Sequence, residues 1–118
     1  MANYFKSNFN QENKHNLLGA NNQEGELNND NLAEVTFGRM RAGFVVGPHI
    51  HTQTKTLVIV LKGEMVFKIS GEEVAVREGE YIIFSKGIME EVIRVVEGTE
   101  NLTIHTPSIK GGDGEKVR

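Results

Sequence analysis

The sequence predicts an all-β domain, an antiparallel sandwich or barrel, and three observations carry that expectation. Gly63, Gly71, Gly79 and Gly87 recur eight residues apart, each in or beside a polar turn. The segments between them are short and rich in β-branched and aromatic residues, which suit a pleated, half-buried surface. From Leu32 onward no segment sustains the apolar spacing of an amphipathic helix.

Taken in order, residues 1–31 form an arm in which ten residues are Asn. Asn favours turns and caps over regular ladders, so this arm is expected to be irregular and not a second domain. Tyr4, Phe5 and Phe9, with Leu17 and Leu18, could still pin it to a sheet edge or to a partner. Residues 32–107 are the expected β-barrel, with strands near 32–40, 43–51, 56–62, 64–70, 73–77, 80–85, 90–97 and 100–106. Met65, Phe67 and Ile69 share one face while Glu64, Lys68 and Ser70 share the other, a half-buried alternation broken only by Val66. Leu57 to Leu61 is apolar on both faces, the pattern of a central strand. Residues 108–118, with Gly111, Gly112 and Gly114, read as a flexible tail.

Composition narrows the function. A net charge of −3 and a pI near 5.8 offer no electrostatic footprint for nucleic acid or an anionic membrane. With no cysteine there is no disulfide, thiolate metal site or cysteine nucleophile, which fits a reducing cytoplasm. The longest apolar run, five residues, falls far short of the ~20 that span a bilayer. No nucleophile elbow or phosphate-binding glycine loop is present; the glycines are turn glycines. A small-molecule ligand is the partner these exclusions leave.

One motif carries chemistry. His49 and His51 sit at i and i+2, so in a strand both imidazoles face one space. Neutral imidazole is the commonest metal ligand, and two of them supply half of a four-coordinate site. Gln53, two residues further, would lend an amide oxygen if the strand continues that far. Arg39 and Arg41 also share a parity with Phe37: facing inward they form a fork for a carboxylate or phosphate, and facing outward a solvated rim. His105, on the last predicted strand, either reaches the barrel mouth or stays exposed.

Two segments resemble the paired motifs of the cupin superfamily, across roughly residues 32–107. The first family motif runs Gly, five residues, His-x-His, three or four residues, Glu, six residues, Gly. It is met at Gly43, His49, His51 and Gly63, with Thr56 in place of Glu. The second runs Gly, five residues, Pro-x-Gly, two residues, His, three residues, Asn. Gly79 and Gly87 match it, with Ser85 for Pro, Glu90 for His and Arg94 for Asn.

The resemblance implies a double-stranded β-helix, or jelly-roll, barrel and a homodimer. It also implies a divalent transition metal (zinc, iron, manganese or nickel) held by His49, His51 and Glu90, since two His and a carboxylate are a known ligand set. Thr56 is a poor ligand while protonated and would instead hydrogen-bond a water or substrate. Against this stands an ion pair: Glu90 and Arg94, four apart on one strand face, could neutralise each other. The expected function is metal-dependent action on a small polar metabolite, a carboxylate or sugar derivative, by isomerisation, lyase chemistry or dioxygenation. The alternative is a non-catalytic module that binds a small anion through Arg39, Arg41 and Arg94 around a degenerate metal site. A purely structural dimerisation domain is the third reading. Fold alone decides none of these.

Overall fold

The computed structural model describes residues 3–9, 12–20, 22, 24–109 and 114–116. Ten strands form: β1 (Lys14–Leu18), β2 (Glu34–Met40), β3 (Val46–His51), β4 (Lys55–Lys62), β5 (Glu64–Ile69), β6 (Glu72–Arg77), β7 (Tyr81–Phe84), β8 (Met89–Val95), β9 (Thr99–Thr106) and β10 (Gly114–Lys116). Among the described residues one 3₁₀ turn, Glu26–Asn28, lies between β1 and β2. The strands build two five-stranded sheets, ordered β1-β2-β9-β4-β7 and β10-β3-β8-β5-β6. Every strand pair is antiparallel. This is the all-β jelly-roll architecture expected from the turn spacing, and all eight expected strands are present.

Turn chemistry fixes the register of the hairpins. Ile69 pairs with Glu72 across the two-residue loop Ser70-Gly71, and both loop residues have positive φ (48° and 89°). That is the type I′ geometry whose twist matches the flanking strands. Gly63, at φ 85°, joins β4 to β5 where a Cβ would collide with Thr99, so a close approach as well as the turn requires glycine there.

The buried core lies between the sheets and includes Met40, Val58, Val60, Met65, Phe67, Val76, Phe84, Val92 and Val95. Phe67 and Phe84, from opposite sheets, meet edge to face at 5.2 Å between centroids. β4 is interior to its sheet, between β9 and β7, as its two-sided apolar run implied.

The arm contains more order than its composition predicts. β1 adds to the free edge of β2, with His15 opposite Phe37, and an edge strand needs little apolar side chain because backbone pairing holds it. Phe9 stacks on Phe37 at 4.3 Å between ring centroids, covering that side chain from outside. Residues 1–2, 10–11, 21 and 23 of the arm lie outside the described residues. In the tail, β10 pairs with β3, while residues 110–113 and 117–118 lie outside the described residues. Among the described residues no helix is long and apolar enough to cross a membrane.

Candidate functional site

Strand parity places the histidine pair inside the barrel. His49 and His51 project from the same face of β3, and their rings sit edge to face at 5.0 Å between centroids. On the neighbouring strand β8, Glu90 is the direct cross-strand partner of His49. Its Oε1 lies 3.1 Å from His49 Nε2, and the Glu90 side chain is almost fully buried. The two motif-bearing turns are tied together as well, because the Gly87 amide donates to the His51 carbonyl at 2.8 Å.

One potential ligand atom from each of His49, His51 and Glu90 lies within 4.8 Å of the others. Neighbouring ligands bound ~2.1 Å from one ion stand about 3.0–3.4 Å apart, so the widest pair of this group closes by roughly 1.4–1.8 Å when all three share a metal. The His49 ring is oriented for it. Its Nδ1 lies 3.0 Å from the Gly47 carbonyl oxygen, which accepts a hydrogen bond from the Nδ1–H and leaves Nε2 to face Glu90. Without a metal the same geometry favours a proton. The hydrogen bond to Glu90 holds His49 above its ordinary pKa of 6.5, opposed by burial and assisted by the Gly47 carbonyl. Nitrogen and carboxylate donors converging in a half-closed cavity fit a divalent ion.

The cavity is about 850 Å³. Thr56 borders it from β4, with its buried Oγ1 lacking a hydrogen-bond partner among the described residues. His105, directly opposite Thr56 on β9, borders it too, with its ring 5.2 Å from that of His51 and its Nδ1 3.9 Å from Glu34. Thr56 and His105 are thus brought to the histidine pair.

Four expected site residues are not. Gln53 is exposed in the bend that follows β3, because the strand ends at His51 and parity no longer applies. Arg94 is exposed on the outer face, and no ion pair with Glu90 forms among the described residues. The cause is a β-bulge in β8. Phe67 pairs with Val92 and Val66 with Arg94, so Ile93 is an extra residue that shifts the parity between Glu90 and Arg94. Arg39 borders the cavity, but its register opposite Glu100 sends its side chain outward. There its Nε lies 3.0 Å from Glu100 Oε2, and its guanidinium packs 5.3 Å from the Phe37 ring centroid. Arg41 stays exposed at the cavity border, beyond the end of β2. The expected arginine fork therefore does not form.

Other polar residues on the cavity wall were not anticipated: Glu34 and Thr36 on β2, and Asn101 and Thr103 on β9. A signal was present. Asn101, Thr103 and His105 alternate at i, i+2 and i+4, a polar face on a strand whose other face, Leu102 and Ile104, is apolar.

Two facing antiparallel sheets, with His49, His51 and Glu90 gathered between them, define a jelly-roll barrel with a potential metal centre. The cupin domain family matches residues 37–89, and the chain is similar to that family in fold. Solved structures agree on the fold. A cupin protein from Bacteroides fragilis is 21% identical, covering 100% of this chain and 93% of that one, with a TM-score of 0.72. A substituted Streptomyces PAC13 with uridine is 16% identical over 98% and 93%, with a TM-score of 0.70. KdgF from a Halomonas species is 12% identical over 82% and 79%, with a TM-score of 0.69. No curated protein matches the sequence.

Proposed function

We propose that this cupin-like protein binds a divalent transition metal through His49, His51 and Glu90 and acts on a small polar metabolite in the adjoining cavity. The observation that carries the reading is the convergence of three ligand atoms from two neighbouring strands. A metal held there supplies Lewis acidity to a substrate oxygen. His49 and His51 bind as neutral imidazoles, with the Gly47 carbonyl fixing the His49 tautomer. Thr56 presents its unpartnered hydroxyl to whatever occupies the neighbouring space. That a structure similar to this one, PAC13, is described with uridine supports a small polar occupant.

Elemental analysis of untagged protein tests the reading. One equivalent of zinc, iron, manganese or nickel is expected, falling below a tenth in both His49→Ala and Glu90→Gln. A metal-free protein, or variants that keep the metal, would refute it. The small-anion module loses support, because Arg39 is paired outside and Arg94 is turned away.

The expected homodimer also belongs here. The outer face of the first sheet carries Leu57, Ile59, Leu102 and Ile104 beside exposed Tyr81 and Ile83, an apolar patch of the kind that marks an interface. A sedimentation coefficient that stays monomeric at all concentrations would dismiss it.

A further inference from the structure

Taking the His49–His51–Glu90 group as the reactive end of the cavity, we propose that the bound molecule is elongated, carries hydroxyls, and ends in an anionic group held by Lys14 and Arg41. This extends the proposed function to substrate class and orientation.

The cavity has a direction. Along the inner face of β9, the rows run from His105 through Thr103 to Asn101. At ~3.4 Å per residue, the Asn101 row lies about 14 Å from the His105 row. The middle of this path is a polar rail. Asn101 is buried, and its Nδ2 donates to Thr103 Oγ1 at 3.1 Å. Thr36 stands directly opposite Thr103. Gly38 stands opposite Asn101, and a Cβ at that position would come within 2.7 Å of Asn101 Oδ1. The missing side chain is what lets the amide occupy this wall. Hydroxyl and amide groups both donate and accept, so the rail suits sugar-like hydroxyls.

Beyond the rail the charge changes sign. Lys14 pairs with Gly38 from β1, and Arg41 follows the last residue of β2. Both are exposed, both border the cavity, and neither has an ion-pair partner among the described residues. The carboxylate bordering this end, Glu97, accepts the Ala42 amide at 3.0 Å. The other two cavity carboxylates, Glu34 and Glu90, stand in the rows of His105 and His49. With a divalent ion at the histidine end, Glu34 and Glu90 offset its charge, whereas Lys14 and Arg41 leave net positive charge at the far end, and this asymmetry sets the direction of binding. A phosphate and a carboxylate share this chemistry.

Calorimetric titration of zinc-loaded protein with ribose, ribonate and ribose 5-phosphate tests the proposal. At least one anionic probe is expected to bind about tenfold tighter than ribose at low salt, as two exposed charge contacts allow. The stronger anion identifies the terminal group. The preference should fade with added salt and disappear in the Lys14→Gln/Arg41→Gln double variant, whose exposed side chains leave folding intact. Thr103→Val should weaken all three probes alike. No binding by any probe, no preference for an anion, or a preference that survives the double variant would overturn the proposal. Metal content measured on the same samples separates the two readings. A preference retained by metal-free protein removes only the metal; a metal-loaded protein without preference removes only the anion receptor.

Discussion

The space between the two sheets has a dry end, toward β6 and β7, and a polar one, toward β2 and β3, although β4 and β8 contribute to both. β4 contributes Val58 and Val60 to the core but Thr56 to the cavity, and β8 contributes Val92 and Val95 to the core but Glu90 to the histidine pair. Polar groups exist at the dry end too, yet they are satisfied there. Thr99, fully buried, donates to the Val96 carbonyl at 2.6 Å and accepts the Glu64 amide at 3.2 Å. Thr56, equally buried, has no such partner among the described residues. A buried polar group costs free energy unless bonded, so satisfied groups serve the fold and unsatisfied ones are tolerated where a ligand can complete them.

The comparison breaks most visibly at Phe67. Phe67→Ala should cost about 3–5 kcal/mol in chemical denaturation, because it removes the ring that meets Phe84 and leaves a cavity. A loss below about 1 kcal/mol would mean that the dry end is not the stabilising half. Next comes Thr99→Val, which strands the Glu64 amide and should cost roughly 1–3 kcal/mol.

A smaller effect concerns pH in protein stripped of metal. The folded His49 pKa is raised above 6.5, so its stabilising contribution is complete below about pH 6.5 and is lost as pH rises through the folded value. Thermal melts of the stripped protein should therefore show a midpoint component that falls from pH 6 to pH 8 and is absent in Glu90→Gln. Metal loading should reverse the trend, since the ion competes with the proton for Nε2. The smallest effect is Thr56→Val, expected to leave stability within about 0.5 kcal/mol or raise it, because no bond is lost. A loss near that of Thr99→Val would erase the distinction between the two threonines.

The sequence shows the eight central strands because their signals are local: glycine turns, alternation, and one two-sided apolar run. It does not show β1 or β10, whose residues pair at sheet edges and carry no apolar pattern of their own. The histidine pair and Glu90 are legible through motif spacing. Arg94 is not, because a bulge adds a residue without leaving a mark in composition, and parity counted across Ile93 gives the opposite face. Arg39 misleads for another reason. Phe37 shares its parity and is fully buried, but the ring covering it is Phe9, 28 positions away in the chain (37 − 9) and on the outside of the sheet.

That stacked pair gives the beginning of the chain a protective duty. A protease cutting between Phe9 and Lys14 would strip the lid from Phe37, turning a covered ring into a wet, adhesive spot beside strands that already show apolar side chains. Trimmed molecules would then tend to associate through that spot, so the short polar segment that carries Phe9 would govern how long the barrel stays soluble.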